Sequence, residues 1–197
     1  MTEQTAQIDM VPPIESARIN CNYLWGVAAA IAVTIWVVNQ DSRWILNFVH
    51  VISGLLWTGI DLFMGFVIGP ILKKVDLTAR RAIVTRLAPR MMFLMPTLAA
   101  VTTTAGIALA SSAGYFALDW PYFGWVLAAL IIVTILTIQG IGILLPINIV
   151  VFLELRKHQP DMTRVGGLMR IYFYTVASQG VMQVAIILVM ARFVTGL

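Results

Sequence analysis

The sequence predicts an all-α protein, a polytopic transmembrane bundle of about five helices with its N-terminus in the cytoplasm. Three observations carry this prediction. Of 197 residues, 60% are hydrophobic and 11% charged, whereas soluble domains sit near half apolar and a quarter charged, and a soluble core this small cannot hide so much apolar surface. Five apolar stretches are each long enough to cross about 30 Å of hydrocarbon at about 1.5 Å per residue. Eleven of the thirteen Lys and Arg residues fall on one side of the membrane those stretches imply, the pattern that marks the cytoplasmic face.

Residues 1–20 form a polar N-terminal tail or interfacial segment. It does not read as a cleavable signal peptide, because it lacks a basic start, carries Glu3 and Asp9, and holds Pro12-Pro13 where an apolar stretch belongs. Residues 21–197 form a single bundle, with no polar stretch long enough for a separate soluble domain. The spans run over roughly 21–39, 44–72, 91–116, 122–153 and 170–194. The second and fourth exceed what a perpendicular crossing needs, so they tilt or kink. Pro146 is the natural kink site in the fourth, and Pro70 ends or bends the second.

Lys73, Lys74, Arg80, Arg81, Arg86 and Arg90 lie between the second and third spans, and Arg156, Lys157, Arg164 and Arg170 between the fourth and fifth. Both loops therefore face the cytoplasm, as does Arg18, leaving Arg43 and Arg192 on the other side beside Trp44, Tyr115, Trp120 and Tyr122. In the segment 75–90, Thr78 as cap opens either a short amphipathic helix lying on the membrane surface or an ordinary basic loop. The expected location is the inner (cytoplasmic) membrane, with lipids as constant partners. The net charge of +4 is explained by this orientation and not by nucleic acid. Cys21 is the only cysteine, so no intrachain disulfide or thiolate cluster is available. No repeat relates the halves, which argues against a duplicated transporter.

Ionisable groups in a bilayer core are costly, so each needs a partner, a cavity or a function. The second span holds two, His50 and Asp61. Eleven helical positions come to about 1100°, which places them within about 20° of one face and about 16 Å apart. At about the depth of Asp61 lie Thr102, Thr103 and Thr104, then Gln139, Gln179 and Gln183. This polar belt is either interhelical hydrogen bonding, with Gly54, Gly65 and Gly69 allowing close approach, or a functional path. A carboxylate at that depth with no cation beside it is expected to be protonated or solvated in a cavity. His50 reads as a haem ligand, a copper ligand, a proton carrier or a packing residue. His158 lies in a loop on the far side, so a second axial ligand must come from elsewhere, and Met190 reaches nearly the depth of His50. Arg192, about one turn outside Met190, either pairs with a haem propionate or snorkels to the interface. Methionines also suit Cu(I), although most read as core filler, with Met91, Met92 and Met95 far from His50.

The run His50-Val-Ile-Ser-Gly54-Leu-Leu-Trp57-Thr-Gly59, continuing to Phe63, Phe66 and Pro70, resembles the HVxxGxxWxG helix of the membrane domain of cytochrome-c-linked urate oxidases. The similarity continues into Leu87-Ala-Pro-Arg-Met91. More distantly, the chain resembles the copper-resistance D-type membrane proteins and the membrane protoporphyrinogen oxidases, whose bundles carry an intramembrane histidine associated with haem b. On that resemblance His50 matches the group's histidine. Asp61 stands where the group has an uncharged residue, and the chain has no CxxCH haem-attachment sequence. The resemblance implies an integral membrane protein or subunit for redox chemistry or electron transfer, with haem b on His50. Depth alone adds Met190 as the opposite ligand, the methionines leave copper as the alternative metal, and the cost of burying a carboxyl makes Asp61 the group expected to handle protons or substrate. A cofactor-free accessory subunit of a larger membrane complex, a homo-oligomer, and a small transporter or metal-handling protein are the competing expectations.

Overall fold

A computed structural model describes residues 21–40, 42–157 and 159–196. The N-terminal tail and His158 lie outside the described residues. Every regular element among the described residues is a helix. We label them α1 (Tyr23–Val38), α2 (Arg43–Lys74), α3 (Leu77–Ser112), α4 (Phe123–Leu155) and α5 (Met162–Val194). Four of them, α2 to α5, are long and apolar enough to cross a membrane. The fifth, α1, has 16 residues and spans about 24 Å, short of about 30 Å of hydrocarbon.

Large apolar side chains point outward along the bundle, Phe66, Val181 and Leu188 among them. With water outside, this surface would be a continuous liability; with lipid outside, it is the solvated face. The chain is a multi-pass membrane protein on this evidence.

The segment 75–90 is neither a surface helix nor a loop. Asp76, not Thr78, caps the helix, its carboxylate accepting from the Ala79 amide at 2.8 Å. From there α3 runs without interruption through Pro89 and Pro96 to Ser112. Two consecutive arginines hold its first turns upright against the bundle. Arg80 donates to the Leu72 and Lys73 carbonyls at 2.6 and 3.1 Å, and Arg81 to those of Leu155 and Lys157 at 2.8 and 2.9 Å. Each thereby satisfies orphan carbonyls at the C-terminus of a neighbouring helix, α2 or α4. At the other end Arg43 does the same for α3, donating to the Ser112 carbonyl.

Two of the proline-bearing helices, α2 and α4, accommodate the ring by the same device. In α2 a π-turn covers Met64–Ile68, and the Gly69 amide donates five residues back to Met64. In α4 it covers Gly140–Leu144, with Leu145 donating to Gly140. The proline stands six residues after the first π residue in each case, at Pro70 and Pro146. Proline lacks the amide hydrogen and crowds the carbonyl four residues before it, and widening the preceding turn relieves that contact.

Three helices close the basic end. Ile147, Val151 and Leu155 of α4 pack on Val165 of α5, while the fully buried Phe152 packs on Ala88 of α3. Glu154 is buried beside them and pairs with Lys157 at 2.7 Å, also accepting the Asp161 amide.

Candidate functional site

The polar belt resolves into specific interhelical pairs. His50 is held between α2 and α3. Its Nδ1 lies 2.9 Å from the Thr102 carbonyl oxygen; a carbonyl only accepts, so Nδ1 carries the proton and donates. Nε2 is then the lone-pair nitrogen, and it has no protein partner among the described residues. The Thr102 hydroxyl donates to Ser53 at 2.9 Å, and Ser53 donates back to the Val49 carbonyl at 2.6 Å. Glycines make this approach possible. A Cβ at Gly106 would stand 2.7 Å from the imidazole Cε1 and 2.8 Å from Nδ1, and one at Gly54 would meet the Thr102 methyl at 3.3 Å. Position 106 thus requires glycine for space and not for backbone conformation.

Asp61 is buried and faces α5, where the Gln183 amide donates to Oδ2 at 2.7 Å. Trp57, one turn earlier on the same helix, is also buried. Gln183 is 1% exposed and its Oε1 has no partner among the described residues. Around this pair α2 and α5 are closely matched: a Cβ at Gly65 would meet Val176 at 3.3 Å, and one at Gly180 would meet Leu62 at 3.4 Å. Gln179 donates to the Leu136 carbonyl at 3.2 Å, and Gln139 to the Ser178 hydroxyl at 3.3 Å. Of the three threonines only Thr102 is buried; Thr104 is exposed.

A cavity of about 390 Å³ extends from Trp57, Asp61 and Gln179 toward the basic end, where Lys73, Arg80 and Arg81 border it. Its walls carry Met64, Met91, Met92, Met95, Met162 and Met169, six of the chain's ten methionines. Asn148 and Tyr172 complete one side.

Of the residues singled out in the sequence, Asp61 lines this cavity, and His50, Met190 and Arg192 lie toward the other end, outside its lining. Met190 is half-buried on α5 next to the buried Val189, and Arg192 is exposed in the last turn. Counted from the Asp61–Gln183 bond, His50 is eleven residues along α2 and Met190 seven along α5. These steps correspond to about 16 and 10 Å on antiparallel axes, each returning to within about 20° of the bonded face.

Gly106, the Arg80–Arg81 clasp and the convergence of methionines from α2, α3 and α5 were not foreseen. Gly106 sits four residues after Thr102, on nearly the same helix face, which is the signal the sequence does hold. Comparison with protein-family models, with curated proteins and with solved structures finds no match to the chain.

Proposed function

We propose that the chain is a haem-b-binding membrane protein or subunit for redox chemistry or electron transfer, with His50 as an axial ligand of the iron. The observation that supports this reading is the state of the His50 ring. Metal-ligating histidines characteristically donate the second ring nitrogen to a carbonyl or carboxylate, which sets the tautomer and orients the ring. His50 has this arrangement toward the Thr102 carbonyl, leaving Nε2 with its lone pair free. The likeness of the His50–Gly59 run to a haem-associated helix points the same way. Met190, on the matching face of α5, would supply a second ligand, and Arg192 would be the cation available to the haem carboxylates. Haem b supplies one-electron chemistry at such a site. Thr102 orients the imidazole, Gly106 gives it room, and Asp61, hydrogen-bonded to Gln183, handles protons or substrate deeper in the bundle.

An absorption spectrum with metal analysis of detergent-purified protein tests this. The expected result is a Soret band with iron, lost in His50→Ala and shifted toward a five-coordinate form in Met190→Leu, both variants staying folded. A colourless wild-type protein without iron would overturn it. Copper in its place would favour the copper alternative, and partners co-purifying with colourless protein the accessory-subunit reading.

A further inference from the structure

The methionine-lined cavity lies outside the His50 site and asks for its own occupant. On α2 it runs from Trp57 to Lys73, sixteen residues or about 24 Å of helix. Its volume of about 390 Å³ falls within the range of small-molecule sites, which are mostly apolar with a few placed polar groups. Two readings compete. A water path to Asp61 needs polar partners along its length, and apolar cavities stay dry; thioethers and aliphatic chains dominate these walls. An apolar-bodied ligand fits them, methionine being the side chain that adapts best to an irregular apolar shape.

Charge sets the orientation of such a ligand. At the deep end stands the Asp61 carboxyl, already bonded to Gln183, with no Lys or Arg of the lining beside it to hold an anion. At the other end stand Lys73, Arg80 and Arg81. None of the three has an acidic partner among the described residues: the arginines are bonded to neutral carbonyls, and Lys73 lies over the Phe173 ring at 4.1 Å. Gly166 of α5 opens onto the same space, where a Cβ would meet nothing within 4 Å.

From this pairing of charge and shape we propose that the cavity binds a single-chain amphiphile with an anionic head. The head sits at Lys73, Arg80 and Arg81, and the chain lies along the methionines toward Asp61. This site is independent of whether His50 holds a metal.

The test uses the purified chain in bilayer discs of zwitterionic lipid, with spin-labelled stearate as the ligand and its methyl ester as the uncharged control. Electron paramagnetic resonance reads the immobilised fraction. The expected result is saturable immobilisation of the acid, displaced by unlabelled stearate and several-fold weaker for the ester and for Lys73→Gln. Gly166→Phe fills the cavity and abolishes it. Gly167→Phe, equally free of neighbours but off the cavity, leaves it intact. Equal immobilisation of acid and ester, or label that unlabelled stearate does not displace, would overturn the proposal as ordinary lipid at the protein boundary. The displacement result decides even if Gly166→Phe fails to fold.

Discussion

Among the glycines, Gly106 has the closest neighbour: an added Cβ would meet two imidazole atoms of His50 under 3.0 Å away. His50 cannot yield by rotating without giving up its hydrogen bond to the Thr102 carbonyl, so either that bond breaks or α2 and α3 separate. Overpacking of this kind costs about 1–3 kcal/mol. Gly106→Ala is therefore expected to lower the thermal midpoint of the purified protein, and to weaken retention of any haem on His50. Gly59→Ala on the same pair of helices, where a Cβ meets nothing within 4 Å, is expected to be neutral or to stabilise by up to about 1 kcal/mol. Equal loss in both variants would show that the imidazole contact does not set the effect. His50 and Asp61 were legible in the sequence because an ionisable group inside an apolar run is conspicuous on its own. Gly106 was not, because its role depends on which side chain the facing helix presents there.

Helix ends in this bundle are closed by arginines borrowed from other helices. Arg81 is 8% exposed and bonds the last carbonyls of α4, whereas Arg86, one turn and a half further on, is exposed and reaches only its own helix at Ala82. Removing a donor to buried carbonyls leaves them with a desolvation cost of about 1–3 kcal/mol each. Arg81→Met is expected to destabilise on this scale and to speed amide exchange at the end of α4, while Arg86→Met stays within about 0.5 kcal/mol. Matching losses would assign the effect to net charge. Hydropathy foretold the course of α2, α4 and α5 to within a few residues, apart from the start of α5, which extends back to Met162. It misjudged 75–90, because basic residues lower hydropathy whether they face water or clasp carbonyls. The two prolines marked the bends in advance; that each is met by a π-turn rather than a break follows from the helix continuing in packed contact on both sides.

At the scale of the molecule, α2 and α4 run toward the basic end and α3 and α5 away from it, so every long connection rich in Lys and Arg collects on one side. Tyr23 at the start of α1 accepts from Arg90 at 3.1 Å and its ring meets that of Phe93 in a tilted contact, which brings the N-terminal end of the described chain to that same side. The four long spans were legible because hydrophobic length is a sum over many residues; the fifth expected span, 21–39, is the 16-residue α1, too short to cross. The cavity was not legible, because six methionines on three helices converge only after the helices are rotated and bent. Transfer of Lys and Arg across a bilayer is disfavoured strongly enough that short basic loops stay in the cytoplasm. From this asymmetry the basic end is expected to face inward and the C-terminus outward. In a Cys21→Ser background, an impermeant maleimide applied to intact cells is expected to modify Thr195→Cys and to spare Thr78→Cys until the membrane is opened. Thr195 is preferred to Gly196, whose φ of +85° would strain a cysteine. Both sites are exposed, so protection reports sidedness and not burial. Labelling of Thr78→Cys alone in intact cells would invert the bundle and place Lys73, Arg80 and Arg81 outside.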